Sequence, residues 1–254
     1  KVILPAETLQ EFTRLEVRKV IICPYRNLNT QNREYGSAMD KKKETAPRDQ
    51  DTIDFQLPAR QPLMVVISGL SGVGKDAVMN ALRLSYPQAH YVVTCTDRKP
   101  RPKEVHGVDY FFVTTAEFER MIDNDELIEY SIVYDQYKGG LKKQVFDAMH
   151  QGKDVVMRLD VQGAYKIKSQ FPEALLIFVS PESVKEWRSR LINRKTDSPE
   201  QIKVRLETAR QELEMMKIFD YIVVNAENKL DQAVQDILSI FTAEHCRINP
   251  RKIN

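Results

Sequence analysis

Met64-Val65-Val66-Ile67-Ser68-Gly69-Leu70-Ser71-Gly72-Val73-Gly74-Lys75-Asp76 is the stretch on which the reading of this chain turns. Its first four residues form an apolar run without alternation, the pattern of a strand buried on both faces. Three of the chain's nine glycines then fall within six residues. Glycine lets the backbone curl so that successive N–H groups point inward at phosphate oxygens. Lys75 adds a point charge suited to β- and γ-phosphates. Val78, Met79, Ala81 and Leu82 recur at helical spacing, so a helix over 76–85 would bring its positive end to the same cradle. A strand before and a helix after are the context such a loop requires. The usual pattern ends in Ser or Thr, whose hydroxyl ligates Mg2+; here it ends in Asp76. A carboxylate is also an oxygen ligand, directly or through water, but it adds negative charge beside an anionic nucleotide.

Further strands are expected at Tyr91-Val92-Val93, Tyr110-Phe111-Phe112-Val113, Val155-Val156-Met157, Leu175–Val179 and Tyr221–Val224. Thr114, three residues before Glu117, has the spacing of a capping box for a helix over 116–122. Helices are also predicted over 141–149, closed by Gly152, and over 230–243. Ser198-Pro199, with Gln201 at the third helical position, opens a long helix whose apolar stripe is Ile202, Leu206, Ala209, Leu213 and Met216. Strands alternating with helices predict an α/β fold, a parallel sheet covered by helices. There is no internal repeat.

Residues 1–60 differ. Val17, Val20, Ile21 and Ile22 give one short apolar cluster, followed by a polar stretch over 27–54 that includes Lys41-Lys42-Lys43. Such a stretch buries too little apolar surface to offset the entropy of ordering it. The expected organisation is an extension, largely flexible, over 1–60 and one domain over 61–250. The chain opens on Lys1 rather than Met, as a processed or truncated start would.

At 254 residues, with 42% hydrophobic and 29% charged, the composition is that of an ordinary globular protein. A net charge of +2 is too small to argue for a nucleic-acid or membrane partner. Cys23, Cys95 and Cys246 are scattered and odd in number, against a disulfide framework or a metal site. No apolar run is long enough to span a bilayer.

A second basic element is Arg98-Lys99-Pro100-Arg101, followed by Glu104, Gly107, Asp109 and Tyr110. Two arginines flanking a proline can face one phosphate from an extended loop, and the guanidinium fork matches two phosphate oxygens. Basic tetrads are common on solvated loops, so this one gains meaning from its neighbours. Glu129 lies in Leu127-Ile128-Glu129-Tyr130, and a carboxylate among apolar residues is costly without a partner. A guanine edge offers N1–H and N2–H2 together, which fit one carboxylate. A surface glutamate at a strand end is the alternative.

Together these segments resemble guanylate kinase over roughly residues 62–246. The motifs that carry the resemblance run in order. They are Ile67–Lys75, Arg98-x-Pro-Arg101 with Glu104, Gly107 and Asp109-Tyr110, then Leu127-Ile128-Glu129 and Asp160-Val161-Gln162-Gly163-Ala164. Arg190-Leu191, Arg194, Arg205 and Phe219–Asn225 complete the set. Gly74-Lys75-Asp76-Ala77-Val78 and Tyr137-Lys138-Gly139 look most like the plant organellar branch.

The resemblance implies transfer of the γ-phosphoryl group of ATP to GMP, with Mg2+. Gly69, Ser71, Gly72, Val73, Gly74, Lys75 and Asp76 would hold the ATP phosphates, with Asp76 toward Mg2+ and Asn225 near the adenine. Arg98, Arg101, Tyr110 and Lys138 would grip the GMP phosphate, while Thr94, Glu129 and Asp160 would read the guanine. Lys75, Arg98, Arg190, Arg194 and Arg205 would act on the phosphoryl group in transit. It further implies a GMP-binding subdomain at about 95–150, a helical lid at about 186–210, a monomer, and a plastid or mitochondrial location, with the cytoplasm as the alternative.

The chain departs from the family pattern at several positions. Leu70 replaces a proline, an expected loosening of the loop. Asp97 replaces a threonine and is expected to pair with Arg98. Lys138 replaces a tyrosine, Gly140 a hydroxyl-bearing residue, and Arg158 an aspartate. Two other functions compete. Non-catalytic guanylate-kinase-like domains bind phosphorylated partners but lose the phosphate loop, which is present here. The other is a different nucleoside monophosphate kinase, against which Glu129 and Asp160 in the base site favour guanine over adenine or uracil.

Overall fold

A computed structural model describes residues 57–102, 104–132, 136–193 and 199–253, and of residues 192–193 and 199–206 the backbone only. In chain order the elements begin with β1 (Met64–Gly69), α1 (Lys75–Ser85), β2 (His90–Tyr91), β3 (Cys95–Thr96), β4 (Phe111–Phe112) and α2 (Thr115–Asp123). Then come β5 (Leu127–Ile132), β6 (Tyr137–Leu141), α3 (Lys142–His150), β7 (Val155–Arg158) and α4 (Val161–Gln170). The last are β8 (Leu175–Ser180), α5 (Val184–Asn193), α6 (Pro199–Glu214), β9 (Tyr221–Val224) and α7 (Leu230–His245).

The main sheet has the order β2-β7-β1-β8-β9, and every pairing in it is parallel. The central strand is β1, and alternate residues feed two cores. Val65 and Ile67 pack with Val78 and Leu82 of α1 and Ile237 and Phe241 of α7. Met64 and Val66 pack with Val145 and Ala148 of α3 and Ala164 and Ile167 of α4. This is the predicted helix-covered parallel sheet, and each large side chain so buried contributes about 1.5–3 kcal/mol. Parallel strands carry their ligands at the C-terminal edge, which here is where β1 runs into the glycine loop and β7 into Arg158.

A second sheet, ordered β4-β3-β6-β5, is mixed. Its core is small: Cys95, Phe118 and Leu127, with Phe118 stacked on Tyr137 at 4.9 Å between centroids. An irregularity in β5 between Leu127 and Glu129 breaks the strict alternation, so Leu127, Ile128 and Glu129 are all buried.

Several expected boundaries move. The strand expected at 91–93 ends at Tyr91. The Gln144 side chain replaces a strand partner, accepting from Val93 N at 3.0 Å and donating to Val93 O at 2.9 Å. The capping box of α2 forms as expected, Thr114 Oγ1 accepting from Glu117 N and Glu117 from Thr114 N. The apolar stripe of α6 does not hold. Ala209 is buried, but Leu213 and Met216 are exposed. A 3-10 turn over Met215–Ile218 ends the helix, and Met215, Ile218 and Phe219 pack on the core instead. The expectations for 1–56, for Ser198, and for the side chains of Ile202 and Leu206 lie outside the described residues.

Candidate active site

The glycine loop takes its shape from three backbone positions. At Gly69, φ is +140° and a Cβ would come within 2.1 Å of Val179 O in β8. Gly72 and Gly74 have φ of +88° and +91°, the region where a side chain is strained. Gly74 caps α1 without a side-chain hydrogen bond, and the N-terminus of a helix favours an anion. Lys75 Nζ donates to Gly69 O at 2.7 Å and to Leu70 O at 3.0 Å, folded over the loop it is expected to serve. Leu70 is buried in the core, an apolar anchor rather than a source of looseness.

The outer side of the loop is clamped. Trp187 Nε1 donates to Ser71 O at 2.8 Å, and Asn225 Nδ2 to Val73 O at 2.8 Å. Arg190 donates to Val73 O at 3.2 Å and to Asn225 O at 2.8 Å, and pairs with Glu186. Arg190 and Asn225, expected at the phosphoryl group and the adenine, therefore support the loop's carbonyls. Arg194 lies outside the described residues, and so does the side chain of Arg205 in α6.

The second basic element gathers cations. Arg98 is held in a bidentate pair with Glu104, both contacts 2.8 Å, and Glu104 also accepts from Arg101 N at 2.7 Å. The Arg98 contacts come first in pulling the Glu104 carboxyl down to about 2. The Arg98 guanidinium carbon sits 5.1 Å from the Tyr110 ring centroid and 5.5 Å from that of Phe112, a stacked geometry that fixes its plane. Lys138, across the ladder from Thr96, is half-buried. Burial, then the nearby Arg98 and Arg101, lower its pKa. Like charges so gathered repel one another, and a phosphate would relieve that repulsion.

The expected pairing of Asp97 with Arg98 is corrected. Asp97 Oδ1 accepts from Tyr137 N at 2.8 Å and Oδ2 from Thr115 Oγ1 at 3.1 Å. It fastens β6 and α2 together, leaving Arg98 to Glu104. Thr94 O accepts from Phe111 N at 2.9 Å, setting this residue at the entry to the small sheet.

Behind the cations lies an acidic recess. Glu129 is 5% exposed, so the buried reading of the sequence holds over the surface one. Burial above all, then the nearby Asp160, push its carboxyl up to about 8, against the pull of Lys166 and the Gly140 amide. Asp160 caps α4, Oδ1 accepting from Gly163 N at 2.7 Å, while Oδ2 accepts from Ser131 Oγ at 3.1 Å. A Cβ at Gly163 would lie 3.0 Å from Glu129 Oε2, so glycine there makes room for the carboxylate. Two acidic groups aligned with a hydroxyl suit a ligand edge rich in N–H donors.

Three residues of this site escaped the sequence reading. Ser131 and Trp187 belong to segments without a motif of their own. Arg158 stood out only as a departure. One of its guanidinium nitrogens donates to Asp76 Oδ1 and the other to Tyr110 OH, the latter at 2.7 Å. Among the described residues no group of three or more His, Cys, Asp or Glu forms a metal cluster, and no helix is long and apolar enough to cross a membrane.

Comparison with known proteins bears on this arrangement. The guanylate kinase family profile matches residues 61–244. A rice protein named guanylate kinase 2, chloroplastic/mitochondrial, is 46% identical over 198 residues, 78% of this chain and 70% of its own length. The guanylate kinase of Halalkalibacterium halodurans is 43% identical over 185 residues, 73% of this chain and 90% of its own. The crystal structure of guanylate kinase from Anaplasma phagocytophilum superposes with a TM-score of 0.61 at 27% identity, covering 74% of this chain and 89% of that one.

Proposed function

The chain belongs to the guanylate kinase family, and from that premise we propose that it moves the γ-phosphoryl group of ATP to GMP, using the domain over 61–250. One observation carries the assignment of roles. The C-terminal ends of two neighbouring strands, β1 and β7, with Ile67 in register with Arg158, lead respectively into the phosphate loop and the acidic recess.

ATP phosphates lie against the N–H groups of 69–76, with Lys75 exchanging its loop carbonyls for β- and γ-oxygens. The GMP phosphate meets Arg98, Arg101, Tyr110 and Lys138, and the guanine N1–H and N2–H2 reach Glu129, with Asp160 and Ser131 alongside. No covalent intermediate is needed: in-line placement of two phosphates and neutralisation of charge supply the rate. Arg194 and Arg205 complete the lid side of this reading, with Arg190 holding the lid helix α5 to the loop.

Mg2+ fits as ATP's companion. The absence of a multidentate protein cluster among the described residues accords with a cation carried mostly by phosphates and water. Asp76 would hold it, through water, since its carboxylate is engaged with Arg158. The ion would neutralise charge on the transferring group. The likeness to the rice protein also supports a plastid or mitochondrial location.

A coupled assay for ADP with ATP, Mg2+ and GMP tests the reaction, with AMP, UMP and no acceptor as controls. GMP-dependent ADP is expected. Binding of GMP without turnover would move the chain to the non-catalytic class.

A further inference from the structure

Arg158 stands at the end of β7, beside the strand that delivers the phosphate loop. It donates to Asp76 Oδ1 in the first turn of α1 and to the Tyr110 hydroxyl at 2.7 Å. Its guanidinium carbon lies 5.6 Å from the Tyr110 ring centroid, and Arg98 lies 5.1 Å from the same centroid. One side chain thus touches the donor loop's helix and the acceptor pocket at once. The Arg158 side chain is 27% exposed against 69% for Asp76, so the cation is largely desolvated while its carboxylate partner faces solvent.

Two departures from the family pattern meet here. Asp76 stands where a serine or threonine is usual, and Arg158 where an aspartate is usual. A carboxylate alone beside ATP phosphates would repel them, and a half-buried guanidinium alone would lack a counter-charge. Paired, the two are neutral and carry one planar fork that reaches both neighbours at once, as a lysine's point charge does not.

We propose that Arg158 is a positioning residue that couples the two nucleotide sites, held by Asp76 at the donor end and Tyr110 at the acceptor end. This rests on the reading that ATP occupies the 69–76 loop and GMP the pocket around Tyr110. Whichever nucleotide binds first fixes the guanidinium through its own end of the bridge, and the second meets a pocket already ordered. Such coupling is reciprocal.

Calorimetric titration with GMP, with and without a non-hydrolysable ATP analogue and Mg2+, reads it directly. In the parent chain the analogue is expected to tighten GMP about fivefold or more. In Arg158→Met that ratio falls to within about twofold of one, and Asp76→Ser and Tyr110→Phe, which each cut one end, do the same. Combining Arg158→Met with Asp76→Ser lowers it no further. Arg158→Lys keeps the charge and loses the fork, so its ratio stays low. A merely structural Arg158 would lower melting temperature and leave the ratio intact, and that result overturns the proposal. A ratio of one in the parent overturns it too. If Arg158→Met does not fold, Asp76→Ser and Tyr110→Phe decide. Failure of either nucleotide to bind the parent overturns the functional reading along with the coupling; binding of both with an unchanged ratio overturns the coupling alone.

Discussion

Gly69, Gly72 and Gly74 shape the donor loop through backbone conformations and close approaches, whereas the acceptor pocket is shaped by charged side chains: Arg98 gripped by Glu104, and Glu129 crowded beside Asp160. The loop is backed by the main sheet and both of its cores. The pocket leans on a small sheet whose core is three buried residues. A loop made of main chain is ready before its ligand arrives. The pocket instead crowds Lys138 beside Arg98 and Arg101, a repulsion that a bound phosphate would relieve. Electrostatic changes should therefore act selectively on GMP, while changes at the loop should act on transfer itself.

The largest separation is expected from Lys75→Ala. Turnover should fall by about a hundredfold to a thousandfold while GMP binding by calorimetry is unchanged; a parallel loss of GMP affinity would erase the distinction between the regions. Glu129→Gln should follow, lowering kcat/KM for GMP by about a hundredfold, since one guanine donor then faces an amide N–H2. Its KM for ATP should stay within about twofold, and equal losses for both substrates would remove Glu129 from the base site.

The third expected effect is on pH. With its carboxyl up to about 8, Glu129 is mostly protonated in the free protein at neutral pH. On the proposed reading guanine needs the carboxylate, so GMP would expel a proton. KM for GMP should fall by about fivefold from pH 7 to pH 8 and level off above pH 9 at about a tenth of its pH 7 value. A flat profile in the parent chain, like that expected of Glu129→Gln, would deny the linkage.

A smaller effect is expected from Glu104→Gln, which frees Arg98 from its bidentate partner. A several-fold rise in KM for GMP with kcat nearly unchanged would mark Glu104 as the group that aims Arg98. Smallest is a change in stability. The Glu129 pKa is raised on folding, so the folded state holds a proton that the unfolded chain releases above its ordinary value of about 4.3, and stability declines as pH rises toward 8. Glu129→Gln should thus melt a few degrees above the parent at pH 8, with the gap closing below pH 5.

The same contrast explains what could be read from the chain. The donor loop is local, so six consecutive residues announced it and β1 and α1 fell where expected. The proposed acceptor residues Thr94, Arg98, Glu129, Lys138 and Asp160 are scattered in sequence, with Glu129 and Lys138 on the small sheet and Asp160 after β7 of the main one. No periodicity marks β3 or β6, each too short or too glycine-rich to show one. The resemblance to a family, rather than pattern, joined those residues. Periodicity did not mark helix α5, which only the resemblance covered as part of the lid, because Trp187 and Leu191 are its only deeply buried side chains among the described residues. Asp97 was misassigned because adjacency to Arg98 in sequence says nothing of which carboxylate faces it. A 3-10 turn changes the phase past Glu214 and takes Met216 off the α6 stripe, while the exposure of Leu213 already lies within the helix.

Trp187 is the chain's single tryptophan, is 5% exposed, and donates its indole N–H to the carbonyl of Ser71. The protein thereby carries its own optical probe at the back of the donor loop. Any rearrangement of 69–76 alters the polarity and hydrogen bonding of one fluorophore, with no second indole to dilute the signal. Stopped-flow emission at tryptophan wavelengths therefore times the loop's response to a nucleotide without a label or a substitution.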